Sequence, residues 1–470
     1  MVFNSYIFWF FFAVVIILYR LLPHRGQNRM LLVASYVFYG TWDYRFLSLI
    51  VASTIVDYFV AKKIAAPGIA VRQKKRWAAV SITFNLGLLG FFKYFGFFAD
   101  SFRDLLQWTT GIEASPFVLD IVLPVGISFY TFQTLSYTID VFRGDTEPVD
   151  NFLDFALYVS FFPQLVAGPI ERSHHLMPQI LTPRPRRADD FTTGLYLVAA
   201  GLFMKVAVAD NLAVIANASF KGLPEEVSGF ACLLGIYCFA IQIYGDFYGY
   251  SSIARGIARW MGFDLMANFR MPYLSRSPSE FWQRWHISLS SWLRDYLYIP
   301  LGGNRGGKWL TQRNLMITML LGGLWHGAGW TFILWGLFHG LLLCAYRPFE
   351  AKLKLTRSKW VRALQTVLFF HLVCFGWLLF RAESVGQVGD ILYRICTDFT
   401  ASGYTSYAMG MIVFFFAPFF IYEAWLERKG DLLALTKVRW GWRAAAYTYV
   451  AYMLLLCQPL ITTEFIYFQF

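Results

Sequence analysis

Long apolar runs alternate along the chain with short segments in which arginine and lysine gather. The basic clusters fall at Arg20–Arg29, Lys62–Arg76, Arg172–Arg187, Arg255–Arg313, Arg347–Arg362 and Arg428–Arg443. Basic loops are held on the cytoplasmic face of a membrane, so all six clusters are expected there. The mixed-charge segments 98–116, 219–230 and 381–407 are left for the opposite face. Full crossings are then predicted near 5–21, 77–97, 117–142, 194–218, 231–254, 363–380, 408–426 and 444–462. Both termini come out on the non-cytoplasmic side.

Three apolar stretches do not fit as single crossings, because each has basic residues on both flanks. They are 30–60, interrupted by GTWDYR; 151–170, ending in FFPQLVAGPIER; and 314–346, interrupted at the glycines around His326. Each must enter and leave from the same face. At 1.5 Å of rise per residue against a core of about 30 Å, such stretches give only short or tilted helices. Non-helical backbone at that depth survives only where it is buried in protein or lines water. The pattern therefore predicts an all-α polytopic membrane protein with re-entrant elements and a cavity, and not a simple bundle.

Composition agrees and narrows the class. Hydrophobic residues make up 57% of the 470, aromatic residues 20% and charged residues only 15%, against about 25% charged in soluble domains. The opening MVFNSYIFWFFFAVVIILYR has no basic residue before its apolar run and no small-residue cleavage site after it, so it reads as a retained first span. The formal charge of +12 records basic cytoplasmic loops and does not point to nucleic acid. The six cysteines are scattered, mostly inside apolar runs, without metal-ligand spacing, and read as small buried hydrophobes.

The section 255–313 stands apart, with nine Arg/Lys residues against three acids. Ser279 is expected to cap a helix beginning at Glu280. In that helix Trp282, Trp285, Leu289, Trp292 and Leu293 recur at three- and four-residue spacing, a pattern suited to the membrane surface on the cytoplasmic side. The glycine-rich LGGNRGG that follows, with Asn304 and Arg305, reads either as a connector or as an anion cradle.

Candidate chemistry is sparse. There is no GxSxG, no HExxH and no paired-carboxylate motif, and no metal site is expected. Of the seven histidines, His24, His174 and His175 read as solvated loop residues, and His339 and His371 as core or interfacial ones. His326, at a glycine break inside a membrane segment, and His286, on an aromatic segment forty positions earlier, are different. An ionisable ring at membrane depth is costly and marks a functional site by default. A neutral histidine facing a cavity could take a proton from a hydroxyl. A hydrogen-bonded core histidine is the competing reading of the same residues.

The stretches RSPSEFWQRWHISLSSWLRDYLYIPLGGNRGG and RNLMITMLLGGLWHGAGWTFILWGLFHG closely resemble the membrane-bound O-acyltransferase family, in its bacterial, alginate-acetylating branch. The likeness extends to LLVASYVFYGTWD, LPVGISFYTFQTLSYTIDVFRGD, FFPQLVAGPIER, YGDFYGYSSIARGIARWMGF and the closing FIYFQF. The resemblance implies a ring of transmembrane helices with short and re-entrant helices around a thinned centre and a cytoplasmic funnel, formed by one domain over 1–470. It makes His326, in WHG, the essential catalytic histidine and His286, in RWHISL, the second signature position. His326 would act as general base on the acceptor hydroxyl, and His286 would bind or polarise the donor. Asp246, Trp325, Arg294, Asp295, Asn304 and Arg305 are weaker candidates, each equally readable as a structural contact between helices.

By the same resemblance the expected donor is acetyl-CoA or another acyl thioester, with no permanently bound cofactor. The expected partners are the lipid bilayer, a periplasmic acetyltransferase and the machinery that makes and exports a polysaccharide, with the chain in the bacterial inner membrane. Transfer of D-alanine from a carrier protein to teichoic acid is the alternative within the enzyme class. A polysaccharide-export transporter or structural subunit is the alternative outside it.

Overall fold

The computed structural model describes residues 1–111, 119, 121–185, 187–220, 227–350, 358–459 and 465–466. Among them every regular element is helical. They form two compact units, residues 1–188 with 257–265 and residues 189–256 with 266–470.

The first unit carries α1 (Tyr6–Leu21), α2 (His24–Asp43), α3 (Leu47–Ile64), α4 (Val71–Leu89), α5 (Phe95–Thr110), α6 (Ile127–Arg143), α7 (Phe152–Ser160), α8 (Phe162–Leu165) and α9 (Ser173–Leu181). Two expected interruptions are present. A 3₁₀ turn at Tyr44–Phe46 separates α2 from α3, with the Asp43 carboxylate accepting from the Arg45 amide at 2.9 Å. The second break falls between α7 and α8, where Pro163 sits in the first turn of α8. The predicted crossing 117–142 needs correction. Its helix begins only at Ile127, because Pro124 precedes Gly126, which takes φ +77° where a Cβ would lie 2.8 Å from the Leu165 carbonyl oxygen. Residues 117, 118 and 120, near the start of that expected crossing, lie outside the described residues.

A polar knot lies inside this unit. Asp57 of α3 is fully buried and accepts from Thr138 Oγ1 (2.8 Å), from Asn85 Nδ2 (2.8 Å) and from the Ser81 hydroxyl. Asn85 Oδ1 in turn accepts from Ser53 Oγ at 2.6 Å. A carboxyl group among apolar helices is tolerated when its acceptor positions are filled in this way. His175 also departs from expectation. It sits on helix α9 with its Nδ1 2.6 Å from the buried Glu171 carboxylate, a hydrogen bond that raises its pKa above the ordinary imidazole value.

The second unit carries α10 (Asp190–Leu202), α11 (Asp210–Phe220), α12 (Gly229–Trp260), α13 (Pro278–Trp282), α14 (Ile287–Leu293), α15 (Gly307–His326), α16 (Trp330–Tyr346), α17 (Lys359–Arg381), α18 (Val385–Thr397), α19 (Gly403–Lys429) and α20 (Trp440–Leu456). Phe203–Ala209, between α10 and α11, is a π-helical turn. Among the described residues, six helical stretches are long and apolar enough to cross a membrane: 24–64, 71–110, 190–220, 229–260, 359–381 and 403–429. The chain is a multi-pass membrane protein. Most predicted crossings fall within these stretches; the end of 444–462 lies outside the described residues.

Candidate active site

The glycine break around His326 is the tip of a helical hairpin. Legs α15 and α16 approach so closely that a Cβ on Gly323 would lie 2.2 Å from the Phe332 carbonyl oxygen, and one on Gly336 2.4 Å from that of Met319. Small residues permit such backbone-to-backbone contact in membranes. His326 is the last residue of α15, and Gly327 and Gly329 carry the chain over in extended conformation. The imidazole is nearly buried among the rings of Trp325, Trp335 and Phe380, with centroids at 5.0, 5.0 and 5.3 Å.

His286 reaches the same place by a different route, and here the expectation of one surface helix fails. The segment is two short helices, α13 and α14, and Ser277 rather than Ser279 caps the first by accepting from the Glu280 amide. Between them His286 takes φ +42° and ψ +54°, a left-handed conformation uncommon for a residue with a Cβ. That break turns Trp285, Leu289 and Trp292 into the protein, where all three are buried. The wide apolar stripe was a core face, not a membrane-surface face. Asn268 holds the break: its carbonyl accepts the Ile287 amide at 2.9 Å, its Oδ1 the Ser288 amide at 3.3 Å, and its Nδ2 donates to Ser251 Oγ at 3.0 Å.

The His286 ring is fully buried, edge-on to Phe247 at 4.5 Å and 5.8 Å from Trp325. Its centroid is 6.4 Å from that of His326. Trp325, adjacent to His326 in sequence, contacts both histidine rings. A cavity of about 430 Å³ is lined by His326, Trp335, Leu293, Arg294, Thr318 and Met319 among others. His286 is not part of that lining. A reactant in the cavity therefore meets His326, while His286 stands behind it.

The other predicted residues divide clearly. Arg294 lines the cavity, and its guanidinium pairs with its neighbour Asp295 at 2.7 Å. Asn304 and Arg305 are exposed on the glycine turn and do not line the cavity. The amides of Gly302, Gly303 and Arg305 are spent on Ile299, Tyr298 and Gly302 carbonyls, which weakens the reading of that turn as an anion cradle. Asp246 lies in a buried ion cluster, where Lys205 Nζ is 2.7 Å from its Oδ1 and 2.6 Å from Asp210 Oδ1. The Asp246 Oδ2 also accepts the Ile466 amide at 3.3 Å.

Sequence reasoning passed over several residues that build the site. Asn268, in FDLMANFRMPYL, carries no motif that signals its role. Trp335 lies four positions before His339 on α16 and shares its face, and that spacing was a usable signal. His339 is buried with its ring 4.8 Å from that of Trp335 and 5.2 Å from that of Trp282. A second cavity of about 370 Å³ is lined by Arg270, Arg276, Arg284, Glu280, Ser279 and Gln283 among others. Ser279 and Gln283 also line the His326 cavity, so the two spaces adjoin. Arg284 is locked by Glu427, through 2.8 and 2.9 Å bonds, and by Glu280 at 2.8 Å.

Two histidines in one aromatic pocket at a hairpin tip, beside a cavity open to reactants, agree with the resemblance drawn from the motifs. The model of the membrane-bound O-acyltransferase family matches residues 107–385, which contain the whole pocket. The chain belongs to the membrane-bound O-acyltransferase family. It is 45% identical over 397 residues to the probable alginate O-acetylase of Azotobacter vinelandii, covering 84% of this chain and 77% of that relative. It is 35% identical over 426 residues to the peptidoglycan O-acetyltransferase of Helicobacter pylori, covering 83% and 79%. It is 31% identical over 279 residues to the teichoic acid D-alanyltransferase of Bacillus subtilis, covering 55% and 69%. As a membrane-bound O-acyltransferase the chain is an enzyme, which sets aside the transport and purely structural readings.

Proposed function

We propose that this O-acyltransferase takes an acetyl group from a cytoplasmic thioester and passes it outward for O-acetylation of an exported, alginate-like polysaccharide. The observation that carries this reading is the continuity between the arginine-lined cavity and the cavity lined by His326. Arginines suit the phosphates borne by coenzyme A or by a carrier's prosthetic arm. A thioester whose phosphates rest near Arg270 and Arg276 would run past Ser279 and Gln283 to present its carbonyl at His326.

In the transfer, the acceptor hydroxyl oxygen bonds to the thioester carbonyl carbon and the carbon–sulfur bond breaks. His326 takes the hydroxyl proton and returns it to the departing thiolate. His286, behind Trp325, holds the orientation of this pair. The acceptor is either the glycan itself or a separate periplasmic acetyltransferase that modifies it, with the chain in the bacterial inner membrane.

Transfer of D-alanine from a carrier protein is the second reading, favoured by the partial likeness to a teichoic acid D-alanyltransferase. Reconstituted vesicles separate the two. Acetyl-CoA or an acetylated carrier on the basic-loop face should label an acceptor confined to the other face, whereas D-alanyl carrier should not. His326→Ala should lower the rate about 10²–10⁴-fold, the usual worth of a general base. Transfer only to an acceptor on the donor's own face would defeat the outward reading. A near-normal rate in a well-expressed His326→Ala variant would defeat the role of the histidine.

A further inference from the structure

A third cavity lies between helices that line neither of the other two. It occupies about 340 Å³ between α10, α19 and α20. Its walls include Ala199, Ala200, Phe203, Pro418, Ala446 and Val450, and are almost wholly carbon. Pro418 interrupts the hydrogen bonding of α19 at this wall, and the alanines leave a slot where larger side chains would have met.

One end of the slot is polar. Tyr196 and Tyr422 line it and share a 2.8 Å hydrogen bond, and the Tyr196 hydroxyl is also 3.0 Å from the Leu432 carbonyl oxygen. Just beyond this end, between Glu427 and Arg443, five basic residues stand against two acids. Glu427 is taken up by Arg284 and Asp431 by Lys437 at 2.7 Å, which leaves the segment with a net positive surplus. Arg443 donates to the Thr436 carbonyl at 3.1 Å, which pins it over the turn beside Leu435, a lining residue. Trp440 and Trp442, both largely exposed, mark the level at which tryptophan sits at a membrane–water interface.

Apolar slot, hydroxyl end, basic rim and tryptophan belt follow one another along the same helices. Tyr447 is one turn past Arg443, so the slot opens about 6 Å below the charges, at 1.5 Å per residue. We propose that this slot holds one acyl chain of an anionic phospholipid, whose phosphate is bound by Arg443 and Arg439. A gap between membrane helices lined by carbon invites a lipid tail. Basic pockets at the cytoplasmic ends of such helices select acidic headgroups.

The test is native mass spectrometry and thermal unfolding of the full-length protein taken from membranes, after delipidation, with phosphatidylglycerol or phosphatidylcholine added back. The wild type should retain one phosphatidylglycerol and melt higher with it than with phosphatidylcholine. Arg443→Gln should weaken phosphatidylglycerol retention about fivefold, and Arg439→Gln with it about fivefold more, as expected for one interfacial charge each. Ala446→Phe should abolish retention of either lipid by filling the slot, while circular dichroism stays unchanged. Inorganic phosphate should reproduce none of the stabilisation. Equal retention of both lipids, equal binding by the arginine variants, or undiminished retention by Ala446→Phe would each overturn the proposal. So would stabilisation by phosphate alone.

Discussion

His286 and His326 lie 6.4 Å apart, ring centroid to ring centroid, although forty positions separate them in sequence. Two unlike devices bring them together. One histidine ends a helix at a hairpin tip, and the other is the residue at which two short helices break. The Trp325 ring forms a triangle with them, 5.8 Å from that of His286 and 5.0 Å from that of His326. Each imidazole packs against that indole, and each device can be tested separately.

The left-handed backbone at His286 makes the choice of substitution decisive. Asparagine enters that conformation readily, whereas a β-branched residue pays roughly 1–2 kcal/mol. His286→Asn should therefore melt within a few degrees of the wild type in detergent and lose most transfer activity, though less completely than His326→Ala. His286→Val should lose both stability and activity. Full activity in His286→Asn would return that residue to a structural role.

Asn268 never enters the cavity, yet three hydrogen bonds from it hold the break at His286. Asn268→Ala keeps the backbone carbonyl but removes the acceptor for the Ser288 amide, leaving a buried donor unpaired at a cost of about 1–3 kcal/mol. Steady-state kinetics should show a lower kcat with the donor KM little changed. A change confined to the donor KM would place Asn268 in donor binding instead.

Asp246 was a candidate for chemistry and turns out to close a buried ion cluster with Lys205 and Asp210. Removing Asp246 takes one of the two carboxylate partners of Lys205 and the acceptor of the buried Ile466 amide, the latter loss costing about 1–3 kcal/mol. Asp246→Ala should therefore reduce the amount of folded protein in membranes, with activity falling in proportion. Size-exclusion profiles alongside activity per folded molecule decide the matter. A well-folded, inactive Asp246→Ala variant would restore the catalytic assignment.

The hairpin of α15 and α16 is expected to enter and leave the membrane from one face, because basic residues flank both ends. Single cysteines at Lys308 and Arg347, in a background without the exposed Cys396, should react with an impermeant reagent from the same side of sealed vesicles. Labelling from opposite sides would make 307–346 a passage from one face to the other, and the charge argument would fail.

The broad architecture was legible because membrane helices announce themselves by length and apolarity. The interruptions at Tyr44–Phe46, before Phe162 and at Gly327–Gly329 were legible because basic flanks forbade single crossings. The section around His286 was not. Its tryptophans and leucines fall at helical spacing, and spacing alone cannot distinguish a surface stripe from a core face cut by one left-handed residue. Asn268 was invisible for a related reason: its worth lies in amides nineteen and twenty positions away, and no local pattern records them. Asp246 stayed open between two readings because a buried carboxylate looks the same in sequence whether it faces a reactant or a lysine.

The described rings that pack on the two histidines run from Phe247 to Phe380 in the chain. The candidate site thus draws on α12 to α17, which lie within the span that the family model matches. During synthesis these described groups precede α18, α19 and α20. Contacts this close in sequence form quickly. The final helices are therefore made after the described rings that touch His286 and His326.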